Sequence, residues 1–72
     1  MDDIEKYDAY LEKIIIFIIL NEVSEMSSLD IYNKWQKDEG IKITSGKLVR
    51  RLLNDISTLK NVDKNFLTEC LE

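Results

Sequence analysis

Seventy-two residues bound the chain to a single domain over residues 1–72. A domain this small buries only roughly 60% of its unfolded surface, so one core stabilises it marginally and association is a natural supplement. One cysteine, Cys70, and no histidine exclude an internal disulfide and any nitrogen and sulfur ligand set for zinc, so neither metal nor cofactor is expected; a net charge of −4 excludes indiscriminate coating of nucleic acid.

The chain opens Met1-Asp2-Asp3, acidic where a secretory or mitochondrial leader is basic. With the lone thiol, this makes a cytoplasmic or nucleoid-associated location the expectation. Ile4, Tyr7, Leu11, Ile14, Ile15 and Ile18 recur at steps of three and four and predict a first helix. Asp2 or Asp3 is placed to cap it, with Asp2-x-x-Glu5 as a capping box.

This helix contains the most apolar stretch of the chain, IIIFIIL at residues 14–20. A membrane span needs roughly 20 apolar residues, so an anchor is not expected. Isoleucine and phenylalanine also favour strands, but the helical period established upstream outweighs that preference. Because residues 14–20 are apolar around the whole circumference, more than one side must be covered, either by later helices or by a second copy. Tyr10, Ile16, Phe17, Ile19 and Leu20 are therefore the candidate residues of a homodimer or partner interface.

Asn21–Met26 read as the helix end and a link. Ser27 and Asp30, at capping-box spacing, start a second helix over about 28–38 with Leu29, Ile31, Tyr32 and Trp35 on its apolar side. Trp35 is a core residue at this spacing more readily than a base-stacking platform. Gly40 fits a left-handed C-terminal cap. Ile41 and Ile43 then alternate with Lys42 and Thr44, enough for a stub of strand or an extended linker. Thr44 or Ser45 caps a third helix, about 45–59, whose inward residues are Leu48, Val49, Leu52, Leu53, Ile56 and Leu59. The last stretch, KNVDKNFLTECLE, reads either as a short helix capped by Asp63 with Phe66, Leu67, Cys70 and Leu71 inward, or as a small hairpin turning at Asp63-Lys64-Asn65. The helical reading is preferred. The fold class expected is all-α, or α with a minimal β element: a three- to four-helix helix-turn-helix or winged-helix-like domain.

Charge is unevenly distributed along the chain. Residues 1–41 carry ten acids and four bases, residues 42–60 five bases and one acid, and residues 61–72 three acids and one base. On a helix, Lys47, Arg50, Arg51 and Asn54 fall at i, i+3, i+4 and i+7 and share the face opposite the leucines. Arginine pairs bidentately with guanine and asparagine with adenine, while lysine grips phosphate. Lys42, Thr44, Ser45 and the open amides at the helix start could hold a backbone phosphate. The ordinary alternative is that these residues are simply the solvated side of an amphipathic helix; the local charge asymmetry and the layout of two capped helices around a glycine turn favour recognition.

With those residues in place, the chain resembles the winged-helix and helix-turn-helix family. Residues 28–57, with their Tyr32/Trp35 helix, the Gly40-Ile41 link and the arginine-bearing helix in "GKLVRRLLNDIS", look like the middle of the C-terminal winged-helix domain of archaeal origin-recognition initiators. The resemblance implies double-stranded DNA as partner and Lys47, Arg50, Arg51 and Asn54 as groove-facing positions. In that family a β-hairpin wing follows the recognition helix; residues 60–72 offer at most a stunted one.

Two other chemistries are set aside. GIKITSGK superficially resembles a phosphate-binding loop, but five residues separate Gly40 from Gly46 where four are required, and Leu48 stands where the magnesium-binding Ser or Thr must be. No histidine can serve as a base, and Cys70 has no basic neighbour in sequence to lower its pKa, so an enzyme is not expected. Two functions follow: a small DNA-binding protein, a transcriptional regulator or replication-associated factor reading DNA with its third helix, and alternatively a protein-interaction module such as an adaptor, inhibitor or complex subunit on the same scaffold.

Overall fold

A computed structural model describes residues 2–71, with side chains from residue 5 onward. The chain forms four helices, α1 (Asp2–Leu20), α2 (Ser28–Glu39), α3 (Gly46–Leu59) and α4 (Lys64–Cys70), within extents of 31 × 26 × 20 Å. No strand occurs among the described residues. The capping assigned to Asp2 or Asp3 and the inward position of Ile4 concern side chains outside the described ones.

The question raised by residues 14–20 is answered inside one chain. Ile14, Phe17 and Ile18 are buried in the core, and Ile15 and Ile19 pack against it partly covered. What remains outside is Ile16, 41% exposed, and Leu20, 76% exposed. The later helices do the covering: α3 packs on both α1 and α2, and α4 packs on α1.

α1 ends where the Asn21 side-chain amide donates to the Phe17 carbonyl at 2.8 Å, satisfying one of the acceptors that every helix end leaves open. The following link is tied down, with Val23 buried, Lys60 Nζ donating to the Met26 carbonyl at 2.8 Å and Lys64 Nζ to the Asn21 carbonyl at 3.3 Å.

α2 begins at Ser27, whose hydroxyl accepts the Asp30 N–H at 3.1 Å. It ends in a Schellman motif: Gly40 sits at φ 65°, its N–H donates to the Lys37 carbonyl at 3.3 Å, and the Ile41 N–H donates to the Gln36 carbonyl at 3.1 Å. The buried side of α2 is Ile31, Tyr32 and Trp35. Leu29, expected on that side, is 54% exposed. At 3.6 residues per turn it points about a third of a turn away from Trp35, so it leaves the stripe that meets the core.

Residues 41–45 form an extended linker and not a strand, with Ile41 and Ile43 both packed partly against the core. Ser45 caps α3, accepting the Leu48 N–H at 3.3 Å, and Leu52 and Ile56 are fully buried on its inner face. Leu48, Val49, Leu53 and Leu59 flank them, partly buried.

The tail resolves as helix, with Asp63 accepting the Asn65 N–H at 2.7 Å as its cap. Leu67 is buried, but Phe66 is 57% exposed and Cys70 is exposed, contrary to the inward positions expected of both. A seven-residue helix resting on α1 buries one line of side chains, Leu67 with the half-covered Leu71 one turn on, and its other residues face outward.

Candidate nucleic-acid interface

α3 presents Lys47, Arg50 and Asn54 on its exposed side, directly opposite Leu52 and Ile56. The helix can display them because its inner leucines and isoleucine fix its rotation against α1 and α2, and the Ser45 cap fixes where it begins. No carboxylate shares that outward line; the one acid of α3, Asp55, lies toward α1 and is half-buried.

The four members of the basic stripe are not equivalent. The Arg51 guanidinium is exposed, yet it lies over the Tyr7 ring of α1 at 4.3 Å from the centroid. The Tyr7 hydroxyl in turn donates to the Asp55 carboxylate, one turn beyond Arg51 on α3. Arginine over a tyrosine face is held by the ring quadrupole, so Arg51 is turned toward α1 while Lys47, Arg50 and Asn54 point away from the protein. Burial pushes the Asp55 carboxyl above the usual carboxylate range. This three-residue contact across more than 40 positions was not visible in the sequence. The Arg51/Asp55 spacing of one helical turn was the only part of it that could have been read there.

Ahead of α3, Lys42, Thr44 and Ser45 are exposed, although the Ser45 hydroxyl is already engaged with the Leu48 N–H. Residues 40–45 connect α2 to α3, a longer connection than the three- to four-residue turn of the compact helix-turn-helix.

The residues assigned to a dimer or partner interface divide. Phe17 belongs to the core and is unavailable to a partner: its position on α1, one turn from Ile14 and next to Ile18, turns it inward. Tyr10 is half-buried, its ring edge-on to Trp35 at 6.0 Å between centroids. Ile16 and Leu20 are exposed and Ile19 is half-covered at their side. Trp35 is fully buried with its indole N–H unpartnered, which excludes base stacking.

Among the described residues, no three acidic, cysteine or histidine side chains gather where they could hold a metal ion, and no helix is long and apolar enough to cross a membrane. Compared with known proteins, the chain matches no family model, no curated protein and no solved structure.

Proposed function

We propose that the protein binds double-stranded DNA, inserting α3 into the major groove. The observation that supports this best is the outward line Lys47, Arg50 and Asn54, exposed and free of carboxylates on an otherwise acidic protein. Arg50 and Asn54 are the base-reading residues, suited to guanine and adenine edges, and Lys47 grips the backbone. Arg51, held on Tyr7, orients α3 against α1. The acidic remainder repels phosphate elsewhere and so suppresses non-specific association. The helix-turn-helix reading draws on α2 and α3 as two capped helices packed on each other. The winged-helix kinship would require α4 to stand where a hairpin wing normally follows, which leaves the grip on DNA to α3 and the residues around its start.

The same reading includes a homodimer whose seam is the open side of α1, Ile16 and Leu20 with Ile19 beside them. A stable interface covers about 800 Å² per partner, so polar neighbours must join those three side chains. Protomer extents of 31 × 26 × 20 Å are commensurate with two α3 helices about 34 Å apart in successive major grooves.

A second reading, a protein-interaction module, draws support from Ile16, Leu20, Leu29 and Phe66, large apolar side chains left open on a small domain. The two separate in one experiment: fluorescence anisotropy of a random-sequence duplex across a salt series, with wild type and Arg50→Glu. Binding that weakens steeply with salt and is lost in Arg50→Glu supports the DNA reading. No binding by wild type at low salt refutes it and leaves the interaction module.

A further inference from the structure

Between α1 and the α2–α3 linker lies a cleft of about 110 Å³, well above the roughly 10–15 Å³ that a single water needs. Two lysines from different elements line it, Lys6 of α1 and Lys42 of the linker, together with Thr44 and Tyr10. Ile43 and Leu48 add apolar lining, and among the described side chains none that lines the cleft carries a carboxylate. Two lysines and two hydroxyl-bearing residues lining one small hollow suit a compact oxyanion, since a lysine ammonium brings three donors and no acceptor. They exclude a metal cation, which like charge would repel.

We propose that this cleft holds a phosphate oxyanion, the backbone phosphodiester of the same duplex that α3 enters, and that Lys6 is therefore a DNA contact. The proposal rests on the DNA-binding reading of α3. Ser45 and Leu48 belong both to the cleft and to the first turn of α3. A helix about 10–12 Å across fills a major groove about 12 Å wide, so the flanking strand backbone must run against whatever walls the entering end of the helix. Here those walls carry Lys6 and Lys42. The arrangement gives α1 a second role: its C-terminal half builds the core, and its N-terminal half, otherwise acidic, turns one lysine toward the start of the recognition helix.

The test compares wild type, Lys6→Gln, Lys42→Gln and Arg50→Gln, with Lys34→Gln as a charge-matched control on an exposed residue of α2 outside the cleft. Circular dichroism verifies that each is folded, and anisotropy with duplex DNA of several sequences yields the slope of log affinity against log salt. Loss of one phosphate contact lowers the magnitude of that slope by about one, equally for every sequence. Lys6→Gln and Lys42→Gln are each expected to do so, and Lys34→Gln is not. If both cleft variants match Lys34→Gln while Arg50→Gln still weakens binding, the cleft is overturned and the α3 reading stands. If wild type binds no duplex, the α3 reading fails, and inorganic phosphate titrated into ¹⁵N-labelled protein decides the cleft alone. Saturating shifts at the Thr44–Lys47 amides that shrink in Lys6→Gln would retain a phosphate site independent of DNA, and their absence would overturn it.

Discussion

Glutamine at position 50 and glutamine at position 51 remove the same charge from adjacent residues of α3, but the two variants are expected to fail in different assays. Arg50 points outward with nothing of the protein over it, so Arg50→Gln should leave stability within about 0.5 kcal/mol of wild type. Arg51 lies 4.3 Å from the centre of the Tyr7 ring at the protein surface, where such a contact contributes about 0.5–1 kcal/mol. For a domain of this size, 1 kcal/mol moves the melting temperature by roughly 4–8 °C, so Arg51→Gln should melt a few degrees lower. In duplex binding the order reverses: removing a bidentate base contact at Arg50 costs about 1–3 kcal/mol, roughly five- to 150-fold, while Arg51→Gln loses less. Urea denaturation followed by Trp35 fluorescence and duplex anisotropy measure the two axes. Equal stability of both variants would show that Arg51 is not seated on Tyr7 in solution, and equal loss of binding would return Arg51 to the groove-facing set.

Gly40→Ala should cost about 1 kcal/mol in urea denaturation, because the left-handed φ of 65° disfavours any Cβ while nothing lies within 4 Å of where that atom would sit; an unchanged midpoint would contradict the Schellman geometry. Asp55→Asn keeps an acceptor for the Tyr7 hydroxyl and removes a carboxylate whose folded pKa is raised by burial. That raised pKa stabilises the fold below the unfolded carboxylate pKa of about 3.9 and the gain is lost as pH rises through the folded value, so the variant's stability relative to wild type should grow across that window and then level off. A difference that shrinks with rising pH would reverse the assignment. Leu20→Glu should shift sedimentation velocity from dimer to monomer without altering the monomer's far-ultraviolet spectrum; a wild type that sediments as a monomer at every concentration would exclude the α1 seam.

The helices were legible because their signals are local. Ser27, Gly40, Ser45 and Asp63 mark ends through hydrogen bonds that reach no more than five residues along the chain, and each occupies the cap its residue type favours. The inward set of α3 was legible for the same reason, since one apolar stripe faces one core. Misplacements occurred where burial depends on how much of a helix its neighbours cover. Leu29 and Phe66 have apolar side chains at plausible helical spacing, but α2 and α4 are contacted over narrower arcs than the spacing alone implies. Phe17 sits in an all-round apolar run that looks open from the sequence and that α3 and α4 largely enclose. At the candidate site the stripe itself was readable from i, i+3 and i+4 spacing. The docking of Arg51 on Tyr7 and the meeting of Lys6 with Lys42 required the relative placement of elements distant in sequence, which no local pattern encodes.

Without a wing, the proposed interface has few charges to spend, and that makes salt dependence a reading of assembly. With Arg51 held on Tyr7 and Arg50 turned to a base edge, one protomer offers Lys6, Lys42 and Lys47 to phosphate, for a slope of log affinity against log salt of about −2.7. Such a protomer loses affinity roughly 40-fold between 50 and 200 mM salt, starting from few contacts, and would hold DNA poorly at physiological ionic strength. Two protomers on adjacent grooves double the contacts and take the slope to about −5.4, with the second protomer's binding made intramolecular. A measured slope of about −5.4 would therefore tie DNA binding to the Ile16 and Leu20 seam, and Leu20→Glu should bring it back to about −2.7. A slope of about −2.7 in wild type, unchanged by Leu20→Glu, would separate the two surfaces and leave the apolar side of α1 to a different protein.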